Sequence, residues 1–329
     1  MNEAMMSMIK IDREQWELYW PKVCHAPLLQ SYEYGEAKRQ AQRCRVCRFL
    51  LHSEQAGPVG LLQVLVYSLP LIGGVARINR GPVFFADDFR MPLSRGIATG
   101  IMTAVCNTLR QERWRLLRIV PELYCGADDT SVVLEDVGFK KRHTSPVVSA
   151  VIDLARSPSE IRAGFHGKWR NSLNKSEKAG LELEAPSLDD ALPFLISKYE
   201  EMQQQKCFNG VPTKLIHAMA NQQGQCWNFS ILFARYNNIR QGAVLTVRHG
   251  DTCTYLVGWN SDEGRRLQVN YFLLWHSMIM QREWGCKYFD VGGLGANTTT
   301  GVERFKKRLE GQEYSLIGEY SYTDLPFVK

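Results

Sequence analysis

Apolar and β-branched residues between positions 45 and 85 come in three runs, 46–51, 61–69 and 75–85, separated by Gly57-Pro58 and Gly73-Gly74. Short runs bounded by turn residues predict strands, and consecutive ones predict antiparallel pairing. The spacing then changes. Over 94–114 the apolar positions Ile97, Ile101, Ala104, Val105 and Leu109 fall at helical intervals, which predicts a helix with one buried face. A strand over 116–120, a short helix around 131–137 and a strand over 147–154 complete this half.

The second half repeats the plan. Strands are predicted over 227–236, 242–249 and 253–259, the last two joined by a Gly250-Asp251 hairpin turn. A helix over 266–284 follows, with Leu267, Tyr271, Leu274, Trp275 and Met278 on one face, then a strand over 288–291, a basic turn over 304–308 and a closing strand over 314–320. Between the halves, Ser157-Pro158-Ser159-Glu160 has the form of a capping box with proline at the first helical position. The helix it starts runs to Gly180 and is open to interruption at Gly164 and Gly167. The pattern predicts two α/β (α+β) domains in tandem, 1–156 and 157–329, each a mixed, mostly antiparallel sheet flanked by helices.

Charge narrows the partners. A net charge of +6 favours an acidic one, such as a phosphate-bearing substrate, tRNA or an anionic membrane surface. The nine cysteines have no framework spacing, and Cys44 and Cys47 lack a second pair at metal-ligand spacing, so reduced thiols and no metal are expected. Residues 1–12 have no apolar core of secretory length and no apolar run reaches spanning length, which together predict a cytoplasmic protein. There is no Gly-x-Ser-x-Gly elbow.

The candidate chemistry lies near the carboxyl end. Asp290 closes a predicted strand, Gly292 and Gly293 let backbone amides approach a ligand, and Arg304, Lys306, Lys307 and Arg308 concentrate positive charge on one helical turn. Upstream, the segment 162–178 carries Arg162, Lys168, Arg170, Lys175 and Lys178, among which the planar fork of Arg170 suits bidentate phosphate binding.

The order aspartate, diglycine, loop and Arg304-Phe305-Lys306-Lys307 resembles the C-terminal signature of the FemABX family, aminoacyl-tRNA-dependent transferases acting on peptidoglycan precursors. Lys168-Trp169-Arg170-Asn171-Ser172-Leu173-Asn174-Lys175 is similar to that family's basic helix. Gln30-Ser31-Tyr32-Glu33-Tyr34 and Gly81-Pro82 are similar to its Gln-Ser-aromatic and Gly-Pro elements. The resemblance implies two GNAT-like domains and amide formation from an activated ester, with charged tRNA as co-substrate, no bound cofactor and a large anionic glycan-linked acceptor. It implies Lys306 for charge stabilisation, Asp290 for the acceptor amine, and Arg170, Arg304, Lys307, Gly292, Gly293, Gln30 and Tyr34 for substrate binding.

Two other readings stay open. Acyl-CoA is the alternative donor, although Gly264-Arg265-Arg266-Leu267-Gln268-Val269-Asn270 lacks the glycine and small residue that a pyrophosphate loop needs. A noncatalytic RNA-binding module is the other, although no interleaved aromatic and basic motif is present. Oligomeric state is not legible.

Overall fold

The computed structural model describes residues 6–69, 73–85, 95–125, 130–208, 210–295 and 299–324. In chain order it forms β1 (Met6–Lys10), α1 (Arg13–Tyr19), α2 (Tyr32–Gln42), β2 (Arg45–Ser53), β3 (Gly57–Leu69), β4 (Gly73–Asn79) and β5 (Val83–Phe84). Next come α3 (Arg95–Gln111), β6 (Trp114–Val120), α4 (Thr130–Asp136), β7 (Lys140–Lys141) and β8 (Val148–Asp153). The connector supplies α5 (Pro158–Gly164), α6 (Gly167–Glu177), β9 (Glu182–Glu184), α7 (Leu188–Lys206) and α8 (Thr213–Ala220). The chain closes with β10 (Trp227–Tyr236), β11 (Ile239–His249), β12 (Thr252–Asn260), α9 (Asp262–Arg266), α10 (Val269–Glu283), β13 (Tyr288–Asp290), α11 (Thr300–Lys307), β14 (Gln312–Ser315) and β15 (Tyr320–Thr323).

Two compact units result: Met1–Val148 together with Tyr314–Lys329, and Ser149–Glu313. The first holds a sheet of order β1-β2-β3-β4-β6-β15-β7, with β5 on β3; the second has the order β14-β8-β13-β12-β11-β10-β9. Both are mostly antiparallel with one parallel pair, β4 with β6 and β12 with β13. That is the mixed α/β architecture the hydrophobic pattern predicts.

The unit boundaries differ from those read in the sequence. The strand after the first half, β8, pairs with β13 in the second sheet, while β15 pairs with β6 and β7 in the first. Each half therefore gives its closing strand to the other's sheet. Periodicity identifies a strand but not its neighbour, because pairing is decided by contacts distant in sequence. The fully buried Tyr320 of β15 joins Phe49, Ile78, Leu109 and Ile119 in the first unit's core.

Local signals act where expected. Ser157 accepts from the Glu160 amide while the Glu160 side chain accepts from the Ser157 amide, the reciprocal box that starts α5. The helix then breaks at Phe165 and His166, between the two glycines, and restarts as α6. Asn237 and Asn238, both with positive φ (50° and 62°), make the tight β10–β11 turn, a backbone shape that asparagine tolerates. Helix α7 escapes the sequence pattern because Pro193 lies inside it. No helix among the described residues is long and apolar enough to cross a membrane.

Candidate active site

In the second unit the site grows from a central strand of only three residues. Tyr288, Phe289 and Asp290 of β13 pair in parallel with Thr252, Cys253 and Thr254 of β12, and on the other side with β8. After Asp290 the chain stays with β8, through the Val291 amide and Ala150 carbonyl, whereas β12 runs on to Asn260 without β13 beside it. A register shift in β12 between Tyr255 and Val257 marks the same place. The first unit treats its parallel pair differently. There β4 and β6, after a shift between Gly74 and Val75, stay in register to Asn79 and Val120, and the next hydrogen bond, Gly81 amide to Val120 carbonyl, extends the pairing.

Where β12 and β13 part, Gly292 turns the chain with φ +70°, and a Cβ there would stand 2.5 Å from the Tyr255 carbonyl oxygen. Only glycine meets both demands. Asp290, 3% exposed, holds this turn: one carboxylate oxygen accepts from the Gly292 amide at 2.8 Å and from Ser149 Oγ at 2.5 Å. Ser149 Oγ also lies 3.0 Å from the Gly292 carbonyl oxygen.

Lys306 reaches this turn from α11. Its side chain is 8% exposed, its Nζ donates to the Gly293 carbonyl at 3.0 Å, and the ammonium stands 5.3 Å from the centre of the Tyr255 ring. Among the described residues Nζ has no other hydrogen-bond partner, so two of its three N–H bonds remain to be used. Burial lowers its pKa to about 8, and the negative charge of Asp290 opposes that shift. Tyr255 is itself buried, which pushes its phenol up to about 12.

Aromatic packing fixes α11. Phe305 meets Tyr271 of α10 edge-on at 4.9 Å and Trp169 of α6 at 6.1 Å, and Trp169 packs on Phe165 at 4.5 Å. The His166 amide donates to the Arg308 carbonyl at the end of α11. Three helices are thus clamped by rings of one cluster, and that clamp sets the direction from which Lys306 enters.

The sequence candidates divide. Asp290, Gly292, Gly293 and Lys306 meet in one constellation. Arg170 lies on α6 beside Trp169, but its Nη1 donates to the carbonyls of Ala163 and Phe165, at 2.5 and 3.0 Å, and so ties down the end of α5. Lys307 is exposed and pairs with Glu303 at 3.0 Å, and Arg304 is exposed on the same helix. Gln30 belongs to the first unit. Its buried amide accepts from the Gln63 amide at 2.8 Å and donates to the Asn79 carbonyl at 2.8 Å, a bridge between β3 and β4. Tyr34 is in the first turn of α2, its amide capped by Ser31 Oγ at 3.3 Å. Sequence reasoning missed Tyr255 and Ser149, which belong to no motif; only the fold brings Ser149 to Asp290.

The turn that would cradle a pyrophosphate is capped at the start of α9, while α10, which begins at Val269, has no side-chain cap. Ser261 Oγ caps α9 by accepting from the Gly264 amide at 2.9 Å, and Arg265 and Arg266 pair with Asp262 and Glu263 within that short helix. The positive charge read there from sequence is neutralised locally.

A three-residue parallel strand, a glycine turn and a buried cation within a repeated mixed sheet define a protein of tandem GNAT fold. Residues 164–307, which include Asp290, both glycines and Lys306, match the family model described as an acetyltransferase (GNAT) domain. The chain is similar to the crystal structure of FemX, with a TM-score of 0.81 over 97% of both chains at 14% identity. It is also similar to the C-terminal domain of a putative lysylphosphatidylglycerol synthetase from Agrobacterium fabrum (TM-score 0.54, 13% identity, 89% of this chain and 87% of that one). A tandem GNAT protein from the clavulanic acid biosynthesis pathway gives 0.53 at 11% identity, over 98% and 100%. The FemABX resemblance seen in the motifs is thereby borne out at the level of fold. No curated protein matches by sequence.

Proposed function

We propose that the protein is an acyltransferase that makes an amide from an aminoacyl-tRNA and an amine on a large anionic acceptor, such as a peptidoglycan precursor or another nucleotide- or lipid-linked glycan. The observation that carries the reading is the Lys306 ammonium, buried and held by one carbonyl, with donors left to offer at the parting of β12 and β13. Amine nitrogen attacks the ester carbonyl, the C–N bond forms and the C–O bond to the ribose breaks. One amine proton is lost as the leaving ribose oxygen gains one. Negative charge gathers on the acyl oxygen in between, and a fixed cation in a water-poor site stabilises that charge more than the ground state. Asp290 serves as a positioning residue in this scheme, since its carboxylate folds the Gly292 turn beneath Lys306. An ester is already activated, so alignment and charge stabilisation suffice without a covalent intermediate.

The match to an acetyltransferase domain model favours acyl-CoA as a second reading of the donor. The local pairing of Arg265 and Arg266 with Asp262 and Glu263 speaks against it, because a pyrophosphate is held by unpaired positive charge as well as by free amides at a helix start. The discriminating experiment supplies charged tRNA or acetyl-CoA, each with a nucleotide-sugar peptide acceptor, and follows label into amide. Transfer from charged tRNA is expected; transfer from acetyl-CoA alone would replace the donor, and transfer from neither, with tight RNA retention, would indicate a binding module.

A further inference from the structure

Tyr255 presents a second unused donor at the same place. Its side chain is 8% exposed, yet among the described residues its hydroxyl makes no hydrogen bond. The ring is buried but the hydroxyl oxygen is not sealed from solvent, so an acceptor on an entering ligand can take the place of water there, and phenylalanine would keep the same ring contact with Lys306 without that donor. The backbone also makes room for the oxygen. Gly258 follows three residues on, where β12 has no β13 partner, and a Cβ there would collide with the Tyr255 hydroxyl. A phenol whose ionisation is pushed up to about 12 stays protonated at neutral pH and can donate. Two adjacent side chains with N–H and O–H bonds to offer call for an acceptor that arrives with the ligand.

We propose that the Tyr255 hydroxyl is a second donor to the acyl oxygen, acting beside the Lys306 ammonium; this rests on the acyl-transfer reading above. Its hydrogen bond strengthens as that oxygen gains charge and relaxes when the ribose oxygen leaves. Gly258 is then a positioning residue, since it keeps the space into which the hydroxyl extends.

The test compares the intact protein with Tyr255→Phe, Gly258→Ala and the double variant, using the donor that supports transfer. Tyr255→Phe should lower kcat and kcat/KM together by about a hundredfold, the effect of removing one oxyanion donor, with little change in KM or in melting temperature. Gly258→Ala should reproduce much of that loss, and the double variant should be scarcely worse than Tyr255→Phe, because both changes remove one interaction. Unchanged turnover in Tyr255→Phe would overturn the proposal and leave acyl transfer standing. So would a raised KM at constant kcat, which would assign the hydroxyl to ground-state binding. Absence of transfer by the intact protein from either donor would remove both readings together.

Discussion

Lys306 and Tyr255 meet across a single glycine: the ammonium stands 5.3 Å from the ring centre, and a Cβ at Gly292 would lie 3.5 Å from Nζ and 2.5 Å from the Tyr255 carbonyl. A cation in such a place is costly to keep charged, and the cost is measurable. The native pKa is about 8, against 10.5 for the ordinary lysine. Between those values the unfolded chain binds more protons, so this group makes stability rise with pH from about 8 towards 10.5 and leaves it lowest below 8. Lys306→Met removes the penalty. The variant should be more stable than the parent at pH 7, by on the order of 3 kcal/mol, with the gap closing as pH approaches 10. Denaturant melts across that range check it, and transfer activity should be lost throughout.

Activity should follow the same proton in the opposite sense. The neutral amine has no charge to set against that of the acyl oxygen and is a weaker donor than the ammonium, so kcat should decline as pH rises through about 8, while deprotonation of the acceptor amine raises the rate at lower pH. A bell-shaped profile is expected. Lys306→Arg, with a charge that persists at high pH, should flatten the alkaline limb of whatever activity remains.

Gly292→Ala tests the turn itself. The left-handed backbone costs a non-glycine residue about 1–2 kcal/mol, and the clash with the Tyr255 carbonyl adds to it. Gly293→Ala is the control, since nothing lies within 4 Å of a Cβ there. The first substitution should abolish turnover and lower the melting temperature. The second should do neither to a comparable degree.

Arg170 allows its structural contacts to be separated from any role with substrate. The guanidinium joins two carbonyls at the end of α5, and Arg170→Ala should cost about 1 kcal/mol in stability through those hydrogen bonds. An effect limited to melting temperature would make it a connector residue. A rise in acceptor KM several-fold beyond that of Arg162→Ala, where a surface pair with Glu177 is lost, would place it on the anionic substrate as well.

Removing residues 319–329 should unfold the first unit selectively. β15 lies between β6 and β7, and its Tyr320 is fully buried. Loss of a large buried aromatic alone costs about 3–5 kcal/mol. Hydrogen exchange should show protection lost over β6 and α3 and retained over β10 and β11.

What could be read from the chain was local. Gly250-Asp251, the box at Ser157 and Glu160, and the break between Gly164 and Gly167 announce themselves because a turn or cap is decided within a few residues. The Asp290 to Lys306 order was legible as a motif, and its members do converge. The partners of β8 and β15 were not, since a strand's pattern is silent about which sheet receives it. Nor was the contrast among neighbouring cations: Lys306 and Lys307 are adjacent in sequence, yet one is buried against Tyr255 and the other pairs with Glu303 at the surface. That difference follows from which face of α11 the rings of Trp169, Tyr271 and Phe305 pull inward.

The exchange of closing strands sets a schedule for synthesis. A ribosome delivers β1 through β7 long before β15, so the first sheet has a vacancy between β6 and β7 until residues 320–323 emerge. β8, by contrast, waits at hand for the sheet still to be made. The lobe begun first is finished last, and a nascent chain halted before residue 320 exposes two bare strand flanks to chaperones and to its neighbours.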